Sequence, residues 1–89
     1  MTSVGSGTLR VRVLFFATYA DRVGRETEDF VLPAPATVGD VVRRVRAVLP
    51  GGERIPERPL AAVNQVHARL DAAVADGDEV ALLPPLAGG

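Results

Sequence analysis

The chain contains no cysteine. That removes a disulfide framework, a thiol nucleophile and any thiolate metal site. It contains no lysine either, since all ten basic residues are arginine. No side-chain amine is therefore present for Schiff-base chemistry or to accept an isopeptide bond. A single histidine, His67, cannot build a multi-ligand metal cluster or a histidine-based triad, so no metal site is expected. No apolar run approaches the ~18 residues of a membrane span. The opening residues lack the charged and apolar regions of a signal peptide. The formal net charge of −1 gives no bulk attraction for nucleic acid or an anionic membrane. No glycine-rich phosphate cradle leads into a helix. These absences predict a cytoplasmic protein with no nucleic-acid or membrane partner and no catalytic machinery of its own.

What is present reads as one small domain of 89 residues, 47% hydrophobic and 24% charged. Residues 1–7 are small, polar and glycine-rich, and form a flexible leader. Residues 8–83 make the domain and 84–89 an extended tail. Leu9 to Ala17 alternates as a strand, with Leu9, Val11, Val13 and Phe15 on one face. Arg10, Arg12, Leu14 and Phe16 share the other, which begins charged and ends apolar. Phe16 is then either part of a contact surface or covered by a loop or short helix of its own domain.

Thr18 to Val23 is a short helical turn ended by Gly24. Arg25 to Leu32 is a second strand with Phe30 and Leu32 inward. Pro33 to Ala36 is a loop. Thr37 then caps a helix, with Asp40 three residues on as a variant capping box. Val38, Val41, Val42, Val45, Val48 and Leu49 form its buried stripe. Arg43, Arg44 and Arg46 lie off the stripe as a solvated face, with anion binding a minor alternative. Pro50-Gly51-Gly52 ends the helix and Glu53 to Pro59 is a loop. Leu60 to Asn64 and Val66 to Leu70 are short strands about a turn at Asn64-Gln65. His67 lies on the outer face if Val66, Ala68 and Leu70 point inward, which makes it a surface contact rather than a catalytic base. After the Asp76-Gly77 turn, Asp78 to Leu83 is the last strand, with Val80 and Leu82 facing one way, Ala81 and Leu83 the other. Asp76, Asp78 and Glu79 serve as turn formers and strand-end charges.

One amphipathic helix over short strands is an α+β roll with a mixed sheet. It matches the β-grasp arrangement, in which first and last strands are neighbours and the main helix crosses the sheet. The tail then leaves from a central strand. Pro84 and Pro85 hold the exit extended. Leu86 and Ala87 lead to Gly88 and Gly89, a thin tip whose one reactive group is the terminal carboxylate. A carboxylate is ionised at neutral pH and a poor electrophile. It must be activated, most simply as an acyl-adenylate, and nothing in the chain could bind ATP or supply the nucleophile that follows.

The segments Val13-Leu14-Phe15-Phe16-Ala17, Ala61-Ala62-Val63-Asn64-Gln65, Asp76-Gly77-Asp78-Glu79-Val80-Ala81 and Pro84-Pro85-Leu86-Ala87-Gly88-Gly89 carry a resemblance, supported by Val23-Gly24 and Thr37-Val38-Gly39-Asp40. Together they resemble the small, sulfur-carrying subunit of molybdopterin synthase, from about Arg12 to the end. The resemblance implies a ubiquitin-like β-grasp fold. It implies an ATP-dependent adenylating enzyme that activates Gly89 and a sulfur donor protein that converts it to a thiocarboxylate. No cofactor is bound permanently; the acyl-AMP and the thiocarboxylate at Gly89 are transient. The tail then enters the large catalytic subunit, in a heterotetramer, and gives sulfur to a cyclic pyranopterin phosphate. Phe16, His67 and Leu83 are the expected partner interface, although at His67 the family often places an apolar residue. The competing readings are a sulfur carrier for another thiolated product, such as thiazole, a ubiquitin-like protein modifier, and a plain interaction module.

Overall fold

The computed structural model describes residues 7–85. Strand β1 (Thr8–Phe15) buries Leu9, Val11, Val13 and Phe15 and leaves Arg10 and Arg12 in solvent. That is the period-two pattern of a strand with one face on a core. Helix α1 (Thr18–Val23) follows and stops at Gly24, whose φ of 73° is the left-handed conformation that ends helices. The chain returns as β2 (Thr27–Pro33), antiparallel to β1, with Phe30 and Leu32 buried.

Thr37 caps helix α2 (Val38–Val48). Its hydroxyl accepts the Asp40 N–H at 3.2 Å, and the Asp40 carboxylate accepts the Thr37 N–H at 2.8 Å. This reciprocal box satisfies two N–H groups that the first turn would otherwise leave free. The backbone bond from Thr37, then the Thr37 hydroxyl and Arg43, hold the Asp40 carboxyl below its ordinary range against the opposing effect of burial. The helix inserts Val38, Val41, Val42 and Val45 into the core.

Strands β4 (Leu60–Val63), β5 (Val66–Ala68) and β7 (Glu79–Leu83) complete a five-stranded sheet in the order β2-β1-β7-β4-β5. Strand β7 runs parallel to β1 and antiparallel to β4, so the first and last strands are neighbours and the sheet is mixed. Val80 and Leu82 are fully buried. The expected β-grasp architecture is present, and β7 lies at its centre. No helix among the described residues is long and apolar enough to cross a membrane.

Several details differ from expectation. β1 ends at Phe15, so Phe16 and Ala17 form the corner into α1, where Ala17 takes a φ of 53°. β2 starts at Thr27 rather than Arg25, β4 ends at Val63, β5 ends at Ala68 and β7 starts at Glu79. A two-residue pair was not expected: β3 (Ala36–Thr37) joins β6 (Ala73–Val74) in a separate sheet. Pairs that short carry no periodicity to read.

Val48 is exposed, although it was expected on the buried stripe. Leu49, just past the helix end, carries the stripe's last contact instead. Val66 is 67% exposed because β5 is an edge strand, with no further strand beyond it among the described residues. The loop after α2 is more ordered than its prolines suggest. Gly52–Arg54 form a 3₁₀ turn that drops Ile55 fully into the core. Gly51 is required there: its φ is 81°, and a Cβ would overlap the Arg22 carbonyl oxygen of α1. The leader, apart from Gly7, and residues 86–89 of the tail lie outside the described residues.

Candidate functional site

The outer face of the sheet, opposite α2, is built in rows across the strands. At one end Arg12 pairs with Asp29 on β2 and Glu79 on β7. The Arg12 Nε donates to Asp29 at 3.0 Å, and that bond is the main cause holding the Asp29 carboxyl below its ordinary range. The middle row is Leu14, Ala81, Ala62 and His67, fixed by the pairs Leu14–Ala81, Ala62–Ala81 and Ala62–His67. Ala62 is buried, Leu14 and Ala81 are half-buried, and His67 is exposed on the edge strand.

The last row contains Leu83 and its partner Leu60. Phe16 follows Phe15, the partner of Leu82, and so comes level with Leu83 on the neighbouring strand. Phe16 is 43% exposed and Leu60 50% exposed, while Leu83 is half-buried. The face therefore grades from charged to apolar along the direction of β7, and the apolar end is the end from which the chain leaves. Of the two readings of Phe16, the structure favours exposure: among the described residues no loop covers the ring, which is 43% exposed. Leu60 was not singled out from the sequence. Its signal was parity, since Ala61 and Val63 carry the inward positions of β4 and Leu60 must face out.

The opposite end of the sheet is closed by polar bonds. The Asp76 carboxylate accepts the Arg10 N–H at 2.8 Å, and the Gly77 N–H donates to the Arg10 carbonyl at 2.7 Å. The Asp78 carboxylate accepts from the Ala75 N–H at 2.8 Å and from the Asn64 side-chain amide at 3.0 Å. The Asn64 carbonyl oxygen in turn accepts the Glu79 N–H at 3.0 Å. These residues hold the turn and the start of β7, as expected of them. Among the described residues no group of three or more His, Cys, Asp and Glu is placed to hold a metal.

Pro84 is half-buried and Pro85 exposed at the exit. Leu86, Ala87, Gly88 and Gly89 lie outside the described residues. What the described part offers is a platform: a rigid central strand, an apolar row at its end, and polar bonding concentrated at the other.

Residues 13–89 match the ThiS family. The molybdopterin synthase sulfur carrier subunit of Chlamydomonas reinhardtii is 32% identical over 83 residues, covering 91% of this chain and all of that protein. Small archaeal modifier protein 3 of Haloferax volcanii is 33% identical over 92 residues, covering 91% of this chain and all of that one. Among solved structures, that of SAMP1 from Haloferax volcanii superposes with a TM-score of 0.79 at 31% identity, covering 90% of this chain and 99% of the other.

Proposed function

The chain belongs to the ThiS family, and from that premise we propose that it is the sulfur-carrying subunit of a cytoplasmic molybdopterin synthase, with Gly89 as the residue that bears the sulfur. A carboxylate oxygen of Gly89 attacks the α-phosphorus of ATP on a separate adenylating enzyme, and pyrophosphate leaves. The acyl-adenylate is the electrophile that the free carboxylate is not. Sulfur at the sulfide level, supplied by a donor protein, attacks the acyl carbon; AMP leaves and a thiocarboxylate remains. On the large subunit the thiocarboxylate sulfur attacks an oxygen-bearing carbon of a cyclic pyranopterin phosphate; the carbon–oxygen bond at that carbon breaks and the oxygen leaves with its electron pair. Water then cleaves the acyl–sulfur bond, which leaves sulfur on the pterin and restores the Gly89 carboxylate. The carrier has no cysteine or lysine to intercept its own activated acyl group.

The observation that carries this reading is the exposed apolar row of Phe16, Leu83 and Leu60 at the exit of β7. A surface of that kind beside a chain end suits docking on a partner that takes in the tail. We assign the row, with His67 of the adjacent middle row at its rim, to the large catalytic subunit, in a heterotetramer. The resemblance to a sulfur carrier subunit supports the same choice.

A second reading is favoured by the modifier relatives: the same activated Gly89 is passed to an amine of another protein, forming an amide as AMP leaves. Intact-mass measurement of the protein co-produced with its adenylating enzyme and sulfur donor separates the two. Exchange of one oxygen for sulfur on Gly89 supports the carrier. Amide-linked adducts to other proteins support the modifier. An unchanged acid under conditions of active ATP turnover overturns both.

A further inference from the structure

Between α2, the loop after it and the end of β5 lies an open groove of about 860 Å³. Arg43, Arg46, Arg58 and Arg69 line it, with Glu57 and Asp71 as its acidic members. The whole chain has eleven acidic residues against ten arginines, whereas the groove lining has four arginines against two acids, with Arg43 also paired to Asp40 beside it. Arg46 is its fixed wall. Its Nε donates to the Ile55 carbonyl at 2.7 Å and it reaches Glu57 at 3.5 Å, so the residue expected on a solvated face is half-buried and tethers the loop. Arg69 meets Asp71 at 3.5 Å with both side chains in solvent. Arg58 has no hydrogen-bond or ion-pair partner among the described residues and is exposed.

The groove opens at the same end of the sheet as the chain exit. Arg58 stands two residues ahead of Leu60, the partner of Leu83, and Arg69 follows Ala68, the partner of Ala61. The basic groove and the apolar row therefore lie at the same end of the sheet, the groove on the α2 side and the row on the opposite face.

The groove is not built for a single phosphate. A phosphate cradle at a helix start uses free backbone N–H groups. Here the Val38 N–H donates to the Ala72 carbonyl at 2.9 Å, the Gly39 N–H to the Leu70 carbonyl at 2.8 Å and the Asp40 N–H to Thr37. What remains are guanidinium groups spread over a space much wider than one anion. Guanidinium forks suit carboxylates presented by a polypeptide. We propose that this groove docks an acidic surface of the protein that receives the tail, so that the partner is held by an apolar contact on one side of the exit and by charge on the other. The proposal rests on the sulfur-carrier reading, because it takes the large synthase subunit as that partner.

The test is the association rate of the full-length carrier with the large subunit, for wild type and for Arg58→Glu/Arg69→Glu, at low and high salt. Both positions are exposed, and equal melting temperatures check that the double variant folds. Charge at an interface rim acts mainly on the association rate. The double variant should associate about tenfold more slowly at low salt, and the gap should close as salt screens it. Arg58→Ala/Arg69→Ala should fall between the two. Equal association rates for all three proteins overturn the groove and leave the carrier reading intact. No binding by wild type overturns both. Titration with inorganic phosphate supplies the other arm: saturable shifts of the groove residues below millimolar phosphate would make it a small-anion site and overturn the proposal.

Discussion

The two ends of the central sheet are built to opposite rules. At the Asp76–Glu79 end, side-chain oxygens close on backbone N–H groups, Asp76 on Arg10, Asp78 on Ala75 and Asn64 on Glu79, and Asp78 also accepts the Asn64 side-chain amide. At the exit end, Phe16 and Leu60 stand in water with no polar bond to satisfy. The same strand, β7, connects them, with a fully buried centre at Val80 and Leu82. The polar end needs nothing from outside. Covering the apolar end would gain on the order of 25 cal/mol per Å² of apolar surface removed from water.

The largest expected effect sharpens this division at its limit. Deleting Gly89 should abolish sulfur transfer to the pterin while the melting temperature stays unchanged, because the described core is complete without the tail. Transfer assayed with purified large subunit and a chemically or enzymatically charged carrier is the measurement. Undiminished transfer by the truncated protein would remove Gly89 from the chemistry.

The next effect tests the apolar end. Phe16→Ala should weaken binding to the large subunit by about 2 kcal/mol, or roughly thirtyfold. Its melting temperature should move little, since the ring is not part of the core cluster. A large fall in melting temperature with unchanged affinity would place Phe16 among the structural residues and break the comparison. Asp78→Ala tests the other end and predicts the reverse pattern. It frees the Ala75 N–H and the Asn64 amide, both near solvent that can take over in part. A loss of about 1 kcal/mol is expected, read as a fall of about 4–8 °C in melting temperature for a domain of this size. Affinity for the large subunit should be unaltered.

Much of this division was legible in the sequence, and the reason is parity. Alternation in Leu9 to Phe15 and in Glu79 to Leu83 separated core from outer face correctly, and the Thr37–Asp40 spacing located the helix start. Three kinds of information were not local. Parity could set Leu60 on the outer face, but its place beside Leu83 depends on the pairing of β4 with β7. Val48 and Val66 look inward by pattern, but each lies where its element runs past the covering layer. Ile55 sits in a proline-punctuated loop whose sequence reads as surface, yet the 3₁₀ turn and the Arg46 tether carry it into the core. The arginine groove was equally hidden, because its members come from three segments that only the fold brings together.

The smallest effect concerns His67 and locates the boundary between the two ends. His67 occupies the middle row, beside Ala62 on the edge strand, and is exposed. It is neither in the polar network of the far end nor level with Phe16 and Leu83. Interfaces concentrate their energy in a few central residues, and contacts at the rim are close to neutral. If the docking patch is centred on the last row, His67 is rim. His67→Ala should then cost under about 1 kcal/mol of binding, or less than about fivefold in affinity, with no change in melting temperature. A loss matching that of Phe16→Ala would mean that the partner covers the middle row out to the β5 edge. The apolar surface would then be a full face of the sheet rather than one end, and the division drawn along β7 would have to be redrawn across it.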